Sequence, residues 1–364
     1  MKTKRFFCVV LALMMVVFLV SCTSSPASEE PVQTEVETKE TAQTGDGTNA
    51  TNSIESDIKI NAWTAFDPQT CAQAIIAENK GFFKEEGLNI TVQYMQTGID
   101  TVALAADASI PVTFGADAPK AAVNDLPLKY VAGLANIGGT QGAVARKGLK
   151  INSPKDLEGK TIGVMDGAAV LMAFINICEE FDLDYNSLNF KNLDASGQLA
   201  ALENQEIDIM ACWEPFLDLA VKSGGTMLFN GVQSFIPGAE GDVTWCSLYN
   251  PLCMREDFIK EHPQEAQAVV RAMIKSNDFI NNNLKEAAEI VADKLQLEPE
   301  QTEMIMSKNI YGVFFDNDLK KAVQNLNEFY LSQGQIPYVP EFEDYADPSV
   351  VLAVDPSIVS EELK

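Results

Sequence analysis

Histidine is almost missing from this sequence: His262 stands alone among 364 residues. Triad hydrolases and zinc proteases need well-placed imidazoles, and GxSxG, HExxH and P-loop patterns are all absent. His262 lies in KEHPQE, among charged neighbours and just before Pro263, which opens the next helix; this reads as a surface position. Cations are scarce as well. Lys and Arg number 26 against 52 Asp and Glu, for a net charge of −26. A chain of that sign repels a phosphate backbone, which argues against nucleic acid as a partner. Beyond Cys8 and Cys22 there are five cysteines, Cys71, Cys178, Cys212, Cys246 and Cys253. Their odd number and irregular spacing fit neither a disulfide framework nor a zinc site, so no metal is expected. Only Cys212 and Cys246, each beside a Trp, suggest a pair. A second long apolar run is also missing, so the body of the chain is expected to be soluble.

The one long apolar run is at the start, MKTKRFFCVVLALMMVVFLVSC. Lys2, Lys4 and Arg5 precede the apolar residues 6–20, a length that suits a signal peptide and falls short of a bilayer span. Its end, Leu19-Val20-Ser21-Cys22, resembles a bacterial lipobox. That resemblance implies a signal peptide over 1–21 and a diacylglyceryl-modified Cys22. The protein is then held at the outer face of the cytoplasmic membrane, or in the periplasm, through its lipid alone. Residues 22–57 follow as an acidic stretch. Over 23–53 it has no aromatic residue and only two Val, too little apolar surface to offset the cost of ordering. It reads as a flexible tether.

The rest of the chain is rich enough in apolar residues for two cores, at 46% hydrophobic overall. Strand-like runs fall at 58–63, 89–95, 110–115, 128–134, 142–147, 160–165, 188–193, 207–213 and 225–230, with helical stretches between them. This alternation predicts parallel-dominated sheets flanked by helices, an α/β class. The sharpest helix start is Ser153-Pro154-Lys155-Asp156, with Ser at the N-cap, Pro at the first position and an acid at the third. After about 254 the pattern is mostly helical, with apolar residues at i, i+3 and i+4. This part is expected to return to the first lobe.

Five segments then carry a family resemblance: AENKGFFKEEGLNITVQY (77–94), FGADAPKAAV (114–123), SPKDLEGKTIGVMDG (153–167), ALENQEIDIMACWEPF (201–216) and REDFIKEHPQEAQAVVRA (255–272). In their order and spacing they resemble the solute-binding proteins of nitrate/sulfonate/taurine-type ABC importers, a family that also holds binders of thiamine-pyrimidine precursors. The resemblance implies a two-lobe, type II-like periplasmic-binding-protein fold with two crossing hinge strands, seen in GTQGAVARKG (139–148) and VTWCSLYNP (243–251). Lobe one is then 58–143 plus 248–340, lobe two 144–247, and 341–364 a C-terminal tail. The implied partners are a small-molecule solute, a permease and its ATPase, with the protein acting as a monomer and without a cofactor.

In open α/β sheets ligands bind at the carboxyl ends of strands. The junctions expected at the cleft are Trp63 with Phe66 and Asp67, Asp117 in GADA, Asp166-Gly167, and Trp213-Glu214 before Pro215; Trp245 and Tyr249 lie on the second crossing. Sulfonate-binding relatives commonly read Lys-Gly-Ser-Ser at the third junction, where this chain has Asp166-Gly167-Ala168-Ala169. The hydroxyls are gone and a carboxylate is added, and none of these junctions supplies a Lys or Arg. An anion would meet like charge. Three Trp with Phe66 and Tyr249 suit instead an aromatic, heterocyclic or amine-bearing solute, by stacking or a cation–π cage. Each candidate also has a purely structural use: Asp67, Asp117, Asp166 and Glu214 as helix caps, Trp213 and Trp245 as packing. An enzyme resembling the thiamine-pyrimidine synthases is the rival reading. The lone surface His262 and the lack of a cysteine cluster argue against it, so no catalytic residue is assigned.

Overall fold

A computed structural model describes residues 56–95 and 101–364. The expected signal peptide, the lipidation site Cys22 and the tether up to residue 55 lie outside the described residues. At the tether's end the Ser56 amide donates to the Gly87 carbonyl and the Ser56 hydroxyl to Glu265, both at 3.0 Å.

In chain order the strands are β1 (Lys59–Ala65), β2 (Asn89–Met95), β3 (Val112–Phe114), β4 (Leu128–Asn136), β5 (Gln141–Ala145), β6 (Thr161–Val164) and β7 (Asn189–Asn192). They continue with β8 (Ile209–Trp213), β9 (Thr226–Asn230), β10 (Gln233–Ser234), β11 (Gly241–Asp242), β12 (Tyr249–Arg255) and β13 (Ile310–Phe314). Two sheets result, ordered β13-β4-β12-β3-β1-β2 and β11-β10-β9-β5-β8-β6-β7. Each has a parallel block, β2-β1-β3 in one and β7-β6-β8 in the other, and each is completed by antiparallel strands beside the two crossings. β4 and β5 are buried along nearly their whole length, which is why LKYVAGLAN and QGAVA read as apolar runs without alternation.

The chain passes between the sheets at 137–140 and again at 243–248. These segments touch. A β-carbon on Gly138 would collide with the Cys246 carbonyl, and one on Gly139 with that of Lys308, so only glycine fits at either position. Helices 72–80, 263–282 and 284–295 cover the first sheet. The long one, Pro263–Asn282, opens on Pro at its first position and buries Ala266, Val269, Val270 and Met273 on one face. The last residues join the same lobe, where Phe342, Tyr345, Val350, Val351 and Val359 are part of the core.

β13 pairs antiparallel with β4 in the part of the chain read as mostly helical, and two further elements differ from expectation. Ser153-Pro154-Lys155-Asp156 opens only a 3₁₀ turn, Pro154–Leu157, and Ser153 makes no side-chain cap. The turn has no room to extend, because Gly159 takes a left-handed φ of 74° and the chain then enters β6. The helix Asn317–Ser332, expected with the first lobe, serves both. Its N-cap Asp316 accepts from the Leu319 amide at 2.8 Å. Leu319 and Val323 enter the first lobe's core, whereas Phe329, two to three turns on, enters the second's. It forms a third bridge between the lobes.

Candidate functional site

The bridging helix runs along the cleft and divides it. On the first-lobe side is a cavity of about 190 Å³, lined by residues from the turn after β3, from β4 and both crossings, from the start of β12 and from the helix itself. A recess of about 660 Å³ lies between the helix and Leu171–Glu180, with Asn176, Glu179, Glu180, Trp245 and Lys321 on its walls. A third space of about 180 Å³ shares Tyr249 with the first and Trp245 with the second.

The first cavity is built from turn chemistry upward. β3 ends at Phe114, and Gly115 takes φ 106°, which turns the chain so that Asp117 caps Ala118–Ala122. The Asp117 carboxylate accepts from the Lys120 amide at 3.0 Å and lies 3.3 Å from the Lys120 ammonium. That ammonium sits 3.8 Å from the centre of the Tyr330 ring, brought in by the bridging helix. The Tyr330 phenol also donates to Asp117; burial first, and then the carboxylate, push its pKa well up. Tyr249 crosses the mouth edge-on to Phe314, ring centres 5.5 Å apart, and burial raises its phenol to about 12.

Two residues of this wall each hold a deeply buried polar atom with no hydrogen-bond partner among the described residues: the Tyr130 hydroxyl and Asn250 Oδ1. Asn250 Nδ2 donates to the Thr70 carbonyl at 2.9 Å, which leaves Oδ1 as the free end of the amide. Buried polar groups are rarely left unmatched, because each one costs free energy. No Lys, Arg or His is among the described residues lining the cavity, whose other walls include Ile137, Leu248, Val323 and Leu326.

Of the residues singled out from the sequence, Asp117 and Tyr249 meet at this cavity. Trp245 lines the neighbouring spaces with its indole N–H bonded to Glu180 at 2.7 Å, and packs edge-on to Phe229 and Phe181. The others lie elsewhere. Trp63 is buried with Leu104 and Ile110. Phe66 packs on the core around Cys71 and Ile75. Asp67 caps its own turn through the Gln69 and Thr70 amides and the Thr70 hydroxyl; burial outweighs these donors and raises its pKa. Asp166 is exposed and bonded to Asn192 at 2.6 Å. Gly167, at φ 74°, meets Gln335 just past the bridging helix. Trp213 packs against two clusters of the second lobe. Glu214 is buried, ion-paired to Lys308 from the first lobe, and accepts from the Asp218 amide at 3.0 Å.

The aromatic lining of the first cavity is therefore tyrosine. Tyr130 and Tyr330 went unmarked in the sequence reading, although Tyr330 lies at the helical spacing of Val323 and Leu326. Asn250 stood inside the quoted VTWCSLYNP segment, and a polar side chain in a buried strand was its signal. The five described cysteines are all buried and unpaired, Cys212 and Cys246 included. Burial raises the Cys212 and Cys246 thiols to about 12 each and Cys178 to about 11.

Comparison with known proteins agrees with this architecture. The taurine-binding periplasmic protein of Escherichia coli (strain K12) is 23% identical over 213 residues, 58% of this chain and 62% of that protein. The chain thus matches less than two thirds of that relative's length. The structure superposes on the periplasmic sulfonate-binding protein SsuA from Methylobacillus flagellatus KT with a TM-score of 0.69 at 16% identity, covering 84% of this chain and 96% of that one. The desulfurization enzyme DSZB shares the fold too, with a TM-score of 0.60 at 13% identity over 82% of this chain and 99% of its own. Residues 69–287, more than half of the chain, match the family described as NMT1/THI5 like. With its two sheets, its crossings and that match, the chain belongs to the NMT1/THI5-like family.

Proposed function

We propose that this protein is the extracytoplasmic solute-binding component of an ABC importer. In this reading it is a monomer, tethered through a lipid on Cys22, that captures a small organic solute between its lobes and hands it to a permease and its ATPase. The relatives named for taurine and sulfonate binding support the class. The single observation that carries the site is the cavity under the bridging helix, two of whose wall residues hold buried polar atoms left unmatched. Closure around a solute follows if the solute touches both the first lobe and a helix anchored in the second.

The solute is uncharged or cationic, and an aromatic, heterocyclic or amine-bearing molecule suits the site best. Asp117 is the one ionisable acid on the cavity wall and no cation lines it, while Tyr130, Tyr249 and Tyr330 offer ring surface. The proposed contacts are Asp117, Tyr130, Tyr249, Asn250 and Tyr330. Binding rather than turnover is supported by the buried thiols, which burial keeps protonated and unreactive. The second reading is a sulfonate or taurine binder, favoured by the names of the relatives.

Native mass spectrometry of freshly purified protein, followed by thermal-shift screening, tests the proposal. A co-purified neutral or basic organic molecule that raises the melting temperature is the expected result. Stabilisation by taurine, alkanesulfonates or nitrate, with none by amines or heterocycles, would hand the case to the second reading.

A further inference from the structure

We propose that the solute in the Tyr130–Asn250 cavity is uncharged and carries both a hydrogen-bond donor and an acceptor on one compact frame: an amide, lactam, cyclic urea or N–H heterocycle. This deepens the reading of the cavity as the solute site and rests on it.

The two unmatched atoms set the polarity. Asn250 is 1% exposed and Tyr130 3%. The Asn250 amide is fixed by its bond to the Thr70 carbonyl, so Oδ1 faces away from that bond and takes only a donor. Gly115 approaches it closely: a β-carbon there would touch Oδ1 at 3.4 Å. The Tyr130 hydroxyl stands 3.5 Å from where a β-carbon on Gly133 would be, and is free to donate to an acceptor. A guest with an N–H and a C=O or ring nitrogen would discharge both debts of hydrogen bonding at once.

Charge is the second constraint. Asp117 looks like a counter-ion for a cation, but it is already supplied by the Lys120 ammonium, the Lys120 amide and the Tyr330 phenol. A cation in the cavity would have to compete with Lys120, and an anion would find that ammonium already paired with Asp117 and no Lys, Arg or His among the described lining residues. A buried charge without its own partner is costly, so a neutral guest wins. Size is the third. Since a ~150 Å³ cavity holds benzene, a space of about 190 Å³ takes roughly six to nine non-hydrogen atoms.

The test is titration calorimetry and thermal shift on the full-length protein with benzamide and 2-piperidone as neutral probes. Benzylamine, benzenesulfonate and taurine serve as charged probes of similar size. The neutral probes should bind roughly tenfold more tightly than the charged ones. Tyr130→Phe should fold, with an unliganded melting temperature equal to or above that of the parent, and bind the neutral probes about fivefold more weakly. Asn250→Asp should turn the preference toward benzylamine. Tyr130→Phe binding benzamide as well as the parent, or benzylamine, benzenesulfonate or taurine binding the parent protein more tightly than benzamide, would overturn the inference and leave the binding-protein reading standing. If no probe of any charge binds and nothing co-purifies, the reading of the cavity as a solute site falls and the inference falls with it.

Discussion

Two strand-to-helix junctions of this molecule invite comparison, Gly115-Ala116-Asp117-Ala118 in the first lobe and Trp213-Glu214-Pro215-Phe216 in the second. From residue types the second is the more eye-catching, with an indole and a carboxylate at the end of a strand. Yet every group there is used internally. Trp213 fills two clusters of its own lobe, and Glu214 takes an ammonium and a backbone amide. The first junction is made of small residues and one acid, but it opens on a cavity whose wall holds two unmatched polar atoms. Unmatched buried atoms occur elsewhere too, the Trp63 indole nitrogen among them, so the contrast rests on two of them meeting at the wall of one cavity.

That contrast can be broken by mutation. The largest effect is expected at Trp245, whose removal as Trp245→Ala opens a void beside Phe229 and loses the bond to Glu180; we expect a loss of about 4 kcal/mol in denaturant unfolding. Glu214→Ala should cost about 2–3 kcal/mol, less than a wholly buried pair because Lys308 is partly exposed and can turn to water. Solute affinity, read by calorimetry, should stay within about threefold; a larger loss would move the second junction into the site. Tyr330→Phe removes one donor from Asp117 and should cost about 1 kcal/mol in stability. The smallest effect is optical. With Trp63 and Trp213 packed inside separate lobes, saturating solute should leave the tryptophan emission of a Trp245→Phe variant nearly unchanged; a large shift there would bring one of those two indoles to the solute and erase the contrast.

Much of the frame was legible beforehand. The runs at 58–63, 128–134 and 207–213 became β1, β4 and β8; β8 is apolar because it is buried nearly throughout, whereas β1 starts by alternating, with Lys59 exposed and Ile60 buried. Asp117 and Tyr249 were marked and do line the cavity. Tyr130 and Asn250 were not, because burial without a partner is a property of neighbours far along the chain: Thr70 is 180 residues from Asn250. The helix at Ser153-Pro154 failed for a related reason, since good cap chemistry cannot lengthen an element that the next strand cuts short.

The sequence by itself determined the first nine strands and the α/β class through hydrophobic period, while the five segments carried the resemblance that implied the family and its two crossings. Only the tertiary structure decided that the helix 317–332 spans both lobes, that Lys308 claims Glu214 and that Lys120 and Tyr330 claim Asp117. Periodicity says which face of a helix is apolar, but not which core receives it. Charge composition counts carboxylates, but which of them remain free depends on cations brought close by the fold.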